Sequence, residues 1–338
     1  MCRKICFKWL TLFATFLVVF CVFLNSCGKK APQQKVYRVG ILSGLDFFAS
    51  AADGFKARMT ELGYVKGKNV VYDLQKTNID LVAYKNILKK FVADKVDLIF
   101  VFPTEASQEA KAATQGTDIP VVFAIANIEG TNLIETVRHP GGNITGVRWP
   151  GPDLAAKRFE IMHELVPQTK RMWLPYQRGY PIVASQLEIL RPMAASSGIT
   201  LLEVPANNAT ELEAELQERA KSVGVNDTDA ILIMVEPLGV TPENFVVLGK
   251  FADEHKIPIG GALMSVGGYE SVFGLTPQNI PVGRQAAFLA DKILKGISAG
   301  TIPVVSSEGF FQFNYKAAQK LGLNVPEGLL SRAGEIIR

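Results

Sequence analysis

From residue 36 onward, short apolar runs alternate with amphipathic stretches, and that alternation predicts the elements. Residues 36–42 read as a strand, 50–62 as a helix closed by Gly63, 70–74 as a second strand and 81–93 as a second helix. The run 97–102 is almost wholly apolar, a helix follows from about Glu105 to Thr114, and 120–125 is the next strand. Strands this apolar, separated by helices, are those of parallel sheets covered on both faces.

The pattern then pauses. Residues 138–143 (RHPGGN) are turn-rich, and the extended piece 144–149 ends in Pro150-Gly151-Pro152, which predicts a crossing between domains. The alternation restarts with a helix over 154–165. Strands are predicted over 171–176, 200–204, 230–235 and 258–262, with helices at 185–196, 209–223 and 242–255. The tail adds an amphipathic stretch at 281–294, short extended runs at 303–305 and 309–313, and a helix at 317–321. The chain therefore reads as two α/β halves of about four to five strands each, with a tail that returns first to one half and then to the other. Ligands bind such architectures in the cleft, at the carboxyl ends of the strands.

The N-terminus has a different pattern. Arg3, Lys4 and Lys8 precede an apolar run from Trp9 to Leu24, and Leu24-Asn25-Ser26-Cys27 closes it. A charged start, a short apolar core and a small residue before the cut make a secretory signal. The cysteine after the small residue predicts a lipoprotein, with Cys27 lipidated as the mature N-terminus. A single membrane-spanning anchor is the competing reading, but the run of 16 residues falls short of the roughly 20 that a span needs.

Composition changes the picture in two ways. All four cysteines (Cys2, Cys6, Cys21 and Cys27) lie in the signal or at the lipidation position, so the mature body has no thiol for a disulfide, a metal or a nucleophile. Of 36 basic residues three lie in the signal, leaving 33 against 32 acidic ones and no basic block. Nucleic acid is therefore not an expected partner.

The order and spacing of several short motifs resemble a known family. They are Val39-Gly40-Ile41-Leu42, Gly54-Phe55, Leu62-Gly63-Tyr64 with Gly67-Lys68-Asn69, Asp97-Leu98-Ile99 and Ile119-Pro120-Val121-Val122-Phe123. The more specific ones are Pro140-Gly141-Gly142-Asn143-Ile144-Thr145-Gly146, Val282-Gly283-Arg284 with Ile293-Leu294-Lys295-Gly296, and Ala317-Ala318-Gln319-Lys320-Leu321-Gly322. Together they resemble the ABC-transporter substrate-binding proteins whose better-known members bind tryptophan and related aromatic amino acids. The resemblance implies a type I periplasmic binding protein fold: two Rossmann-like lobes with parallel sheets, joined by a multi-strand hinge. Residues 1–26 would be the signal, 27–35 a lipid-anchored linker, 36–147 plus about 277–302 the first lobe, and 148–276 plus about 303–338 the second.

The implied role is to capture a small solute outside the cytoplasm, as a monomer, and deliver it to a membrane permease. The same fold could instead feed a membrane sensor. Catalysis is not expected. The three histidines (His139, His163 and His255) are scattered, and no nucleophile elbow, Walker loop or dinucleotide motif is present. No cofactor or metal site is expected either.

At the ligand positions the chain departs from its relatives. Amino-acid-binding members carry Thr-Pro after the third strand, where this chain has Thr104-Glu105. Their Thr-Asp-Pro turn after the fourth strand is replaced by Asn127-Ile128-Glu129. In the second lobe Tyr176 is kept, but a Glu-x-Asn-Ser cluster becomes Tyr180-Pro181-Ile182-Val183, and a later Thr-Asp becomes Val235-Glu236. A desolvated zwitterion needs both of its ends paired. Losing these groups argues against a plain amino acid and for a largely apolar or aromatic solute with one or two polar handles. The candidate set is Ser43, Asp46, Phe47, Phe48, Thr104, Asn127, Tyr180, Glu236, Leu238 and Ser265, with Met264 beside it.

Simpler roles compete with these. One of Phe47 and Phe48 fits the core, Thr104 could cap the helix after it, and Glu105 suits the positive end of that helix. Trp149 suits hinge packing, and Arg178 a solvated loop.

Overall fold

The computed structural model describes residues 35–226 and 228–338. The predicted signal, Cys27 and all but the last residue of the linker lie outside the described residues. The chain divides into a compact unit over 38–338 and a separate one over 1–37. In the latter only 35–37 are described, and there the Lys35 ammonium lies 4.7 Å from the ring centre of Tyr37.

The larger unit contains two main sheets. The first takes β1 (Tyr37–Ser43), β2 (Val70–Lys76), β3 (Leu98–Phe102), β4 (Val121–Ala126) and β5 (Ile144–Arg148). With β13 (Val305–Ser306) at one edge, the order is β13-β5-β4-β3-β1-β2. Pairing is parallel from β1 through β3, β4 and β5 to β13. The second sheet takes β6 (Arg171–Gln177), β7 (Thr200–Ala206), β8 (Asp229–Leu232), β9 (Ile259–Gly261), β12 (Phe273–Pro277), β14 (Gly309–Asn314) and β15 (Glu335–Ile337). Its order is β15-β14-β12-β9-β8-β6-β7, parallel except where β14 runs against β12. A two-stranded hairpin, β10 (Ser265–Val266) with β11 (Tyr269–Glu270), stands apart from both.

Counted within each sheet, the first five strands follow one order: second, first, third, fourth, fifth. Such sheets have their switch point between the first and third strands, where consecutive connections leave on opposite faces and open a crevice at the carboxyl ends.

The apolar runs explain why these segments are central strands. Every residue of β3 and of β4 is buried. Ile99, Val101 and Phe123 pack into one core with Leu88 and Phe91 of α2 (Leu81–Ala93). Asp80 starts that helix by accepting from the Val82 and Ala83 N–H groups at 3.0 and 2.9 Å. In the second sheet Trp173 is buried against Phe251, with ring centres 5.2 Å apart, and its indole N–H donates to Asp229 at 2.9 Å.

The chain passes between the sheets three times: from β5 into α4 (Gly151–Leu165), from β12 into α9 (Asn279–Leu294), and from β13 into β14. Helix α9 packs on α1 (Ala51–Glu61), where two glycines permit the approach. A β-carbon on Gly54 would sit 2.1 Å from the Ile280 carbonyl oxygen, and one on Gly283 would sit 1.9 Å from that of Ala51. Arg284 closes the contact with a bidentate pair to Glu61 at 2.8 and 2.9 Å. Hydrogen bonds from Arg284 and Arg58 hold the Glu61 carboxyl well down, at about 2.

One expectation from sequence is corrected. Residues 303–306, read as part of the second lobe, supply β13 to the first sheet, where Val305 and Ser306 pair with Val147 and Arg148.

Candidate functional site

The carboxyl ends of the two sheets meet around a small cavity. From the first sheet come Leu45 and Phe48 after β1, Pro103 and Thr104 after β3, and Ile125 and Asn127 at the end of β4. From the second come Tyr180 and Ile182 after β6, with Val235, Glu236, Pro237 and Val240 after β8. Trp149, on the first crossing, completes the wall. The enclosed space is about 20 Å³, room for one or two waters. The lining therefore falls at both switch points, where the strand order places a crevice.

The first-sheet rim is built on β3, β4 and α3 (Thr104–Ala113). The Thr104 hydroxyl accepts from the Asn127 N–H at 3.1 Å, tying the end of β4 to the start of α3. Thr104 is the first residue of the helix, and the position before it is Pro103, so the threonine does not cap. A bulge shifts the register between Ala124 and Ala126, and Ile125 within it has φ +52°. A β-branched residue rarely takes that conformation. Beyond the bulge Asn127 is 1% exposed, and neither atom of its side-chain amide has a hydrogen-bond partner. Next to it, Gly151 leaves room for the amide: a β-carbon there would lie 2.8 Å from Asn127 Oδ1.

Glu105 occupies the first turn of α3 but is not a solvated dipole partner. Both carboxylate oxygens are shut off from solvent, and neither makes a hydrogen bond of good geometry. They lie beside the Tyr180 hydroxyl. Burial first, and then the charges of Glu105 and Glu236, hold that phenol far above its usual range.

On the second-sheet rim, Glu236 is 3% exposed and caps α7 (Pro237–Val240). Its Oε2 accepts from the Leu238 N–H at 3.0 Å and its Oε1 from the Gly239 N–H at 3.1 Å. Burial pushes this carboxyl up to about 8, against the opposing effect of N–H groups at Leu238, Gln177 and Gly239. Arg148, at the end of β5, is engaged elsewhere. It pairs with Glu129 Oε1 at 2.5 Å and donates to Ser306 Oγ at 2.6 Å.

Of the ten residues singled out from sequence, the cavity brings together Phe48, Thr104, Asn127, Tyr180 and Glu236. The other five lie elsewhere. Ser43 is fully buried at the end of β1, with its hydroxyl unpartnered, but is not in the wall. Asp46 and Phe47 are exposed on the 3-10 turn, where only Phe48 turns inward. Leu238 is buried in α7 behind the wall, and Ser265 is exposed on the β10–β11 hairpin.

The wall also contains residues the sequence reading had not chosen. Trp149, read as hinge packing, meets Phe48 edge-on at 5.8 Å and lines the cavity as well. Ile125, Ile182 and Val240 carry no chemical signature; only their place just after strand ends could have marked them. Arg178 is exposed and donates to the Pro205 carbonyl at 2.9 Å.

Comparison with known proteins identifies the class. The profile of the ABC transporter substrate binding protein family matches residues 40–337, and the chain belongs to that family. It is 28% identical over 287 residues to a tyrosine-binding protein of Clostridioides difficile (strain R20291), covering 82% of this chain and 78% of that one. Two crystal structures share the fold at 25% identity. One is a conserved domain protein from Vibrio cholerae, with TM-score 0.78 and coverage of 89% of this chain and 100% of the other. The second is an ABC domain in complex with L-Trp from Streptococcus pneumoniae, with TM-score 0.74 and coverage of 88% and 100%. The architecture is that of type I periplasmic binding proteins, and the family is one of substrate-binding proteins, which is not an enzyme class. The family is extracytoplasmic. Among the described residues no helix is long and apolar enough to cross a membrane.

Proposed function

We propose that this chain is the receptor of an ABC import system. Anchored through a lipid on Cys27, it captures a small, partly apolar or aromatic solute between two lobes and presents the closed form to a permease. The observation that supports this is the cavity itself. It lies at the switch points of two like-ordered sheets and takes its walls from both.

A space of about 20 Å³ is too small for an aromatic solute. Binding therefore requires the rims to part and Tyr180 to swing aside, with the three crossings serving as the hinge. Ligand would then shift the balance between open and closed forms by its differential affinity for them.

The test is a thermal-shift screen of the full-length protein against amino acids, amines, aromatic acids and nucleosides. A solute at a hundred times its Kd adds about 2.7 kcal/mol to stability, and scattering with that solute should show compaction. A panel that leaves the Tm unmoved counts against the reading. The anchor has its own test: Cys27→Ala should lose the protein from the detergent phase, and unchanged partitioning would contradict lipidation.

A further inference from the structure

The cleft has a charge character that its apolar walls do not suggest. Glu236 stands in the cavity wall and Glu105 lies beside the lining Tyr180, and both act on the Tyr180 hydroxyl. Among the described residues, no side chain lining the cavity is cationic. Arg148, at the nearby crossing, is committed to Glu129 and Ser306.

Hydrogen-bonding capacity is uneven as well. Glu236 spends its oxygens on backbone N–H groups, whereas Glu105 accepts from no backbone group and has only the Tyr180 hydroxyl beside it. Asn127, 1% exposed, leaves its amide oxygen and nitrogen free at the same cavity. A buried acceptor without a donor is costly, and a charged acceptor more so.

From this arrangement we infer that the solute enters with a protonated nitrogen directed at Glu105 and Asn127, so that the site selects an aromatic or apolar amine over a carboxylate. The inference rests on the receptor reading above. An ammonium brings three donors and no acceptor. It can donate to Glu105 and to the Asn127 amide oxygen while Phe48, Trp149 and Ile182 cover the apolar body. A ligand carboxylate would come close to the Glu105 carboxylate in a cavity with no cation to receive it. An α-amino acid brings both groups: its ammonium has Glu105 and the Asn127 amide oxygen, its carboxylate only the neutral Asn127 NH2 donor.

Four phenols that differ in charge test this by calorimetric titration of the full-length protein: tyramine (cation), tyrosine (zwitterion), 4-hydroxyphenylacetate (anion) and 4-ethylphenol (neutral). One charge-assisted hydrogen bond corresponds to about tenfold or more in affinity. Tyramine should therefore bind at least about tenfold tighter than tyrosine and 4-ethylphenol, and 4-hydroxyphenylacetate should not bind. Glu105→Gln should erase tyramine's preference over 4-ethylphenol, leaving the two within about twofold.

Tyrosine or the acid binding as tightly as tyramine would overturn the charge assignment and leave the receptor reading intact. Equal binding of 4-ethylphenol, or a preference that survives Glu105→Gln, would do the same. If none of the four binds, the amine inference falls; the receptor reading falls with it only if the broad thermal screen is silent too.

Discussion

On the first-sheet rim, the Glu105 carboxylate has only the Tyr180 hydroxyl beside it; on the second, Glu236 gives both oxygens to the backbone. Both are shielded from water, and both act on the Tyr180 hydroxyl. The difference is local. Glu236 stands just before a helical turn, in extended conformation, where its side chain can fold back onto N–H groups that would otherwise lack acceptors. Glu105 is already inside its helix, one residue past the start, and accepts from none of the helix's N–H groups. A buried carboxylate that builds its own loop is structural first. One that builds nothing is available to a ligand.

The largest test of that contrast is pH. Burial raises the folded-state pKa of Glu236 from 4.5 to about 8, so the folded protein holds this proton more tightly than the unfolded chain does. The stability linked to it is complete below about pH 4.5 and is lost as pH climbs through about 8, with a slope bounded by one proton, about 1.4 kcal/mol per pH unit. Glu61, Asp73 and Glu203 are shifted downward and act in the opposite sense at acid pH. Urea midpoints at pH 5, 6.5 and 8 should therefore fall in the wild type and flatten in Glu236→Gln. Identical profiles would remove Glu236 from the account.

Truncation gives a smaller effect. At pH 6, Glu236→Ala leaves the Leu238 and Gly239 N–H groups without their acceptor and should cost about 1–2 kcal/mol. Glu105→Ala deletes a buried carboxyl whose one neighbour is the Tyr180 hydroxyl and should stay within about 1 kcal/mol of neutral. Equal losses from the two variants, read by chemical denaturation, would show that Glu105 has a structural partner after all and would break the comparison.

Most of the frame was legible because burial on both faces leaves a coarse mark. A run such as Leu98–Phe102 has few alternatives to a central parallel strand. The motif glycines Gly54 and Gly283 were visible as a pattern, but their reason, a helix contact spanning most of the chain, was not. The extended run at 303–305 was visible but its sheet was not, because two paired residues carry no period and the partner Val147 is remote in sequence.

At the site, Thr104, Asn127 and Glu236 could be picked because polar residues directly after apolar strands stand out. Asp46 and Ser265 stood out for the same reason and proved exposed. Glu105 stands in the first turn as its sequence suggested, but the sequence does not show the Tyr180 phenol that another part of the chain brings beside it. Trp149 looked like packing and is packing, yet the surface it packs is also the wall of the cavity.

The route of the chain has a consequence in time. The first sheet is not finished when its five leading strands have been made. Its covering helix α9 ends at Leu294, and its edge strand lies at Val305–Ser306, beyond five of the second sheet's seven strands. At about 5–20 residues per second of synthesis, the interval between Arg148 and Ser306 is roughly ten to thirty seconds. Through that interval the bare face of α1 has no mate, so the half made first is completed late. Any factor that shields nascent apolar surface has its longest task at the beginning of this fold.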